Sequence, residues 1–137
     1  MRAVRSTEAG VAVVDVDPPE PGEGDVRVRV GASGICGSDL HLVGWGALPQ
    51  TLGHEVAGWL DDGTAVAVEP VRRCGTCDRC LAGDTHLCHT ALTIGISVDG
   101  GMADEVLVGP ECLVPLPDGL AVRDAGLVEP VACAVHA

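Results

Sequence analysis

Four of the seven cysteines in this 137-residue chain are crowded into one short stretch. Cys74-Gly75-Thr76-Cys77-Asp78-Arg79-Cys80 is followed by seven residues and then Cys88, a C-x2-C-x2-C-x7-C run. Thiolates this close along a chain can surround one ion tetrahedrally, and a closed all-sulfur shell suits structural Zn²⁺. Gly75 and Gly83 supply the backbone freedom such tight loops need. Two disulfides or four reduced thiols are the alternatives at this spacing. Disulfides suit small secreted chains, and nothing in the sequence looks secreted.

A second cluster lies upstream. Gly34-Ile35-Cys36-Gly37-Ser38-Asp39-Leu40-His41 is followed by Leu52-Gly53-His54-Glu55. Cys36 and His54-Glu55 are soft and borderline donors on two separate segments. Catalytic zinc sites draw three protein ligands from scattered positions and leave one place for water or substrate. Taken alone, these residues read more simply as a buried cysteine and a salt-bridged histidine. Ser38, Asp39 and His41 also raise hydrolase chemistry. No G-x-S-x-G elbow is present, and Gly95-Ile96-Ser97-Val98-Asp99-Gly100 misses it by one residue.

Short β signals must position these groups. Arg2–Arg5, Val11–Val16 and Val26–Ala32 alternate or run apolar, separated by the turn-rich Pro18–Gly24. Asp25-Val26-Arg27-Val28-Arg29-Val30 has period two, with valines on one face and charges on the other. Thr51–Leu60 and Thr64–Val68 predict a hairpin across Asp61-Asp62-Gly63, and Met102–Val108 a further strand. Many short strands with Gly/Pro turns predict a mainly β fold, a partly open barrel. Toward the end, Asp124 is placed to cap a turn beginning at Ala125. Glu129 precedes Pro130, which predicts a junction at Glu129 and a helix starting at Pro130.

Composition narrows the function. The chain is 47% hydrophobic, with two Trp and no Tyr or Phe, so its core is built from Val, Leu, Ala and Ile. Twenty acidic against eight basic residues give a net charge of −12, which argues against nucleic-acid or anionic-membrane partners. No signal core or membrane span is visible. With five cysteines assigned to metal, Cys112 and Cys133 remain as free thiols, a pattern that fits the cytoplasm.

Six segments together resemble the catalytic domain of the zinc-dependent medium-chain alcohol, polyol and threonine dehydrogenases. They are Gly-Ile-Cys-Gly-Ser-Asp-Leu-His at 34–41, Gly-His-Glu at 53–55, the cysteines of 74–88, Gly-Gly-Met-Ala-Asp-Glu-Val at 100–106, Leu-Pro-Asp-Gly-Leu at 116–120 and Glu-Pro-Val-Ala-Cys-Ala-Val-His-Ala at 129–137. They fall in the family's order. The resemblance implies a GroES-like barrel over residues 1–137, with a structural zinc lobe at 74–88 and a helix at 125–137 leading to a nucleotide-binding Rossmann domain. No Gly-x-Gly-x-x-Gly occurs in the chain, so that domain, and with it any binding site for NAD or NADP, is expected elsewhere in a longer protein.

The resemblance further implies two zinc ions per chain. Cys74, Cys77, Cys80 and Cys88 would hold the structural one. Cys36 and His54 would hold the catalytic one, with either Glu55 or Glu129 as third ligand. Glu129 stands where alcohol dehydrogenases proper carry cysteine, and it would ligate directly or through water. Glu55 would otherwise balance charge beside the metal. Asp39 would accept from the ring nitrogen of His54 that faces away from the metal, or simply form a turn. Ser38 and His41 match the family's proton relay; alone they are loop residues. Trp45 and Leu48 either wall the substrate pocket or are buried loop residues, and Cys133 and His136 are expected to pack. The implied function is oxidation of a CH–OH group in an alcohol, polyol, sugar or amino alcohol by a full-length homo-oligomer. The alternative is a non-catalytic, stand-alone zinc-binding or interaction domain.

Overall fold

The computed structural model describes all residues, 1–137. Its centre is a five-stranded antiparallel sheet that curls into a half-barrel. β1 (Arg2–Thr7) and β2 (Gly10–Asp15) form an antiparallel pair beside it. The main sheet contains β3 (Val26–Ser33), β4 (Val56–Trp59), β5 (Ala65–Val68), β8 (Glu105–Val108) and β9 (Leu113–Pro115). Their spatial order is β8-β3-β4-β5-β9. A small ladder of β6 (Val71–Arg72) with β7 (Leu92–Thr93) closes the base of the cysteine loop. Four short helices complete the fold: α1 (Gly37–Val43), α2 (Asp78–Leu81), α3 (Val122–Ala125) and α4 (Val128–His136).

Aliphatic residues carry the core, as the composition requires. Val28, Val56, Val66, Ile94, Val106 and Val108 are all buried in one cluster. Each such side chain contributes roughly 1.5–3 kcal/mol over leaving it in water. The period-two pattern of β3 survives intact: Val28 is buried, while Arg27 pairs with Glu105 and Arg29 lies over the ring of Trp59, 5.4 Å from its centroid.

Four expectations shift. Thr51–Glu55 does not continue the strand that begins at Val56. Gly53 adopts a positive φ of 96° there, which breaks the extended run. The segment is held instead by bonds to its neighbours: Leu52 N–H to the Val4 carbonyl at 3.0 Å, and Gly101 N–H to the Gly53 carbonyl at 2.9 Å. Likewise β8 starts at Glu105, because the backbone groups of Met102 bond Val4 and Leu52 before it. At the C-terminus α4 begins at Val128, two residues ahead of Pro130. Proline falls in the first turn, where its missing N–H would have no helical partner anyway, so both Glu129 and Pro130 are helical. Asp124 lies inside α3, whose cap position is Ala121, and does not cap a turn at Ala125.

Candidate metal centres

A register shift between Val30 and Ala32, at Gly31, re-aims the end of β3, which stays paired with β4 through Ala32–Ala57 and Ser33–Val56. The chain then runs through Gly34, whose N–H donates to the Glu55 carbonyl at 2.8 Å, and enters α1. This helix begins at Gly37 because Asp39, in its first turn, reaches back to accept the Cys36 N–H at 2.8 Å. Cys36 is thereby fixed at the cap. On the other side, His54 and Glu55 sit between the 99–102 loop and β4. Thr51 N–H donates to the Asp99 carboxylate at 2.7 Å, and Met102 N–H to the Leu52 carbonyl at 2.9 Å.

These two segments bring one ligand atom each of Cys36, His54 and Glu55 within 4.8 Å of one another. His54 and Glu55 are each only 6% exposed. Asp39, 3% exposed, places Oδ1 3.7 Å from His54 Nδ1, and neither atom has a hydrogen-bond partner. On the other ring nitrogen, Nε2, the Ser38 hydroxyl lies at 3.3 Å. Buried polar atoms without partners are rare. A carboxylate, an imidazole and a thiol converging there form a donor set that suits a borderline-soft cation.

The other expected residues distribute unevenly. Glu129 lies outside the group of three. Its Oε1 accepts from the Cys133 thiol at 3.2 Å, one helical turn along α4. That contact and the Glu129 charge push the Cys133 thiol up from its ordinary range. Cys133 and His136 are exposed, not packed. With Glu129 they line a groove of about 600 Å³ between α4 and β5. His41 is exposed on α1, and so is Trp45, at 77%, just beyond it; Leu48 is half-buried.

The second centre is the cysteine lobe. The Sγ atoms of Cys74, Cys77, Cys80 and Cys88 all lie within 4.8 Å of one another. Cys74 Sγ is 3.6 Å from Cys88 Sγ and 4.0 Å from Cys80 Sγ. Four sulfurs at the usual 2.3 Å from one zinc would be about 3.8 Å apart. All seven cysteines are free thiols. Backbone N–H groups point at the sulfurs: those of Thr76 and Cys77 hold the Cys74 thiol down to about 5. Desolvation, with hydrogen bonds donated by the Cys80 thiol to Cys77 and Cys88, pushes Cys80 up to about 12. Gly75 and Gly83 take positive φ values of 69° and 88°, as the loops demand. An outer contact that the spacing did not signal is His89 Nε2 with Asp78 Oδ1, at 2.6 Å.

Residues 22–118 match the family model described as the Alcohol dehydrogenase GroES-like domain. The chain belongs to this family. L-threonine 3-dehydrogenase of Rhizobium etli is 33% identical over 146 residues, covering 94% of this chain and 42% of its own length. Galactitol-1-phosphate dehydrogenase of Escherichia coli superposes with a TM-score of 0.89 at 35% identity, covering 99% of this chain and 44% of the other. An alcohol dehydrogenase of Escherichia coli CFT073, solved with NADH, has a TM-score of 0.88 at 31% identity, covering 98% and 44%. The chain thus spans less than half the length of these dehydrogenases. No helix is long and apolar enough to cross a membrane.

Proposed function

We propose that this GroES-like domain is the metal- and substrate-binding part of a zinc-dependent, NAD(P)-linked dehydrogenase acting on a CH–OH group. The observation that carries this reading is the convergence of Cys36, His54 and Glu55 within 4.8 Å, beside the orphaned Asp39 and His54 atoms. Cys36, His54 and Glu55 would hold the ion. When bound, zinc supplies Lewis acidity that lowers the pKa of a substrate oxygen.

The chain's own groups do the rest. Asp39 orients the His54 ring by drawing the Nδ1 proton toward its carboxylate, which leaves Nε2 as the donor. Ser38, beside Nε2, takes the proton of the substrate hydroxyl as it gives up its own toward His41. His41, exposed on α1, passes it to solvent. Glu129 is the alternative third ligand and would have to leave Cys133 to serve. Cys74, Cys77, Cys80 and Cys88 hold a structural zinc. The nicotinamide acceptor, NAD or NADP, is bound by a nucleotide-binding domain of a longer, homo-oligomeric protein. The substrate is an alcohol, polyol, sugar or amino alcohol; the free Cys112 and Cys133 thiols favour a cytoplasmic setting.

Elemental analysis tests the metal half. Two zincs per chain are expected, falling to one in Cys80→Ser together with a lower melting temperature. Full zinc and an unchanged melt in that variant would overturn the lobe assignment, and one zinc in the wild type the catalytic one. For activity, the 137-residue chain alone should not reduce NAD(P), whereas a longer chain with a nucleotide-binding domain should. Ser38→Ala should then slow turnover by about 10²–10⁴-fold, the usual contribution of a positioned acid–base group.

A further inference from the structure

Glu55 is buried over a residue that has no side chain. A Cβ built on Gly34 would overlap Glu55 Oε2 outright, and would lie 3.0 Å from Glu55 Cβ and 3.1 Å from Cδ. No other atom is among its three nearest neighbours. Gly34 does not have a positive φ, so backbone conformation does not demand glycine here. What demands it is the space taken by the carboxylate. The same residue holds the Glu55 backbone, through its N–H to the Glu55 carbonyl at 2.8 Å. One glycine thus fixes both ends of Glu55.

We propose that Gly34 is a positioning residue for Glu55: its missing side chain is the niche that keeps the carboxylate within reach of the metal held by Cys36 and His54. This rests on the proposed catalytic metal site. It makes a narrow physical claim. The three atoms nearest a methyl group at residue 34 all belong to the Glu55 side chain, and the outright overlap is with its far, flexible end. Its largest cost therefore falls on where Glu55 points, with the 3.0 Å contact to Glu55 Cβ as a smaller one.

The test is a double-mutant cycle on the 137-residue chain, read by Co²⁺ titration. Cobalt absorption distinguishes the four-thiolate lobe from a site with a single thiolate, so the lobe serves as an internal folding control. In the wild type, two Co²⁺ should bind. Glu55→Ala and Gly34→Ala should each weaken the single-thiolate site, by about 10–100-fold if they cost what loss of a supporting group at a metal site usually does. Both should give the same altered visible spectrum and leave the lobe unchanged. The Gly34→Ala/Glu55→Ala double variant should be no weaker than Glu55→Ala alone, because the carboxylate has then already gone. A double variant weaker by the sum of both effects, or a Gly34→Ala spectrum like that of the wild type, overturns the proposal while two bound metals keep the site. A wild type that binds one Co²⁺ removes the site and the proposal with it. Should Gly34→Ala fail to fold, removing the Oε2 overlap with Glu55→Ala should restore folding, since only the 3.0 Å contact with the Cβ then remains; failure of both variants also overturns the proposal.

Discussion

Asp39 holds two parts of the site with one carboxylate. Oδ2 takes the Cys36 N–H at 2.8 Å, and Oδ1 stands 3.7 Å from His54 Nδ1. The two functions separate by substitution. Asp39→Ala strands the Cys36 N–H, and losing the partner of a buried donor costs about 1–3 kcal/mol. Asp39→Asn can still accept that N–H through its amide oxygen but no longer presents a charge to His54. The expected result in urea unfolding is a clear loss for Asp39→Ala and a much smaller one for Asp39→Asn. Metal affinity at the Cys36–His54 site should nonetheless fall about 10–100-fold in Asp39→Asn. Equal affinity in Asp39→Asn and wild type would show that the carboxylate only caps α1. At this scale the sequence was informative wherever a residue type is chemically distinctive. Cysteine and histidine are few, and spacing singled out the four lobe cysteines as candidate donors, whereas Cys36 and His54 became candidates only together with the family resemblance. Gly34 could not be read in this way, because the value of a missing Cβ depends on which atom of another segment it would strike.

Close approach also governs the elements. Gly58 lies in the middle of β4, paired with both β3 and β5. A Cβ there would overlap the Arg29 carbonyl oxygen and lie 2.8 Å from Val28 Cγ1. Unlike the case of Gly34, the obstacle is backbone, so the strands themselves must part. Gly58→Ala should therefore destabilise the fold by about 1–3 kcal/mol, the usual range for overpacking, with a lower urea midpoint. An unchanged midpoint would mean that β3 and β4 can separate freely. Strands such as β3 were legible because period-two patterning is a local property. The helix α1 was not, since Gly37 opens it and Ser38 and Asp39 read as turn residues; its start depends on the reach of Asp39 back to Cys36. The end of the predicted strand at Thr51–Glu55 was hidden for a related reason: hydrogen bonds from β1 and the 99–102 loop replaced the ladder.

Over the whole molecule, contacts between distant parts of the chain decide how it responds to acid. Arg2 and Asp104 join the first strand to the approach of β8 through a 2.7 Å ion pair, and Arg2 N–H adds a second bond to the same carboxylate at 2.8 Å. Hydrogen bonds from the Arg2 side chain and backbone hold the Asp104 carboxyl below its usual range. A carboxyl whose pKa is lower folded than unfolded adds stability above its unfolded value. That contribution disappears as pH falls through the folded value. The wild type should therefore lose melting temperature more steeply than Asp104→Asn below about pH 4, the ordinary carboxylate value. Parallel curves would mean that the clamp contributes nothing. Comparing the two proteins cancels the general effect of titrating the 20 acidic residues.

The sparse aromatic content has a spectroscopic consequence. Trp45 and Trp59 are the only ultraviolet chromophores of their kind, since the chain has no Tyr and no Phe. Trp45 stands in solvent at 77% exposure, just past the helix that carries Ser38 and His41. Trp59 is half-buried under the Arg29 guanidinium, in the strand that follows His54 and Glu55. The two indoles should emit at different wavelengths and differ in access to a dissolved quencher. The protein thus carries two intrinsic lamps, one in solvent just past α1 and one half-buried in the sheet, which allow local motion and unfolding to be followed separately without any added dye.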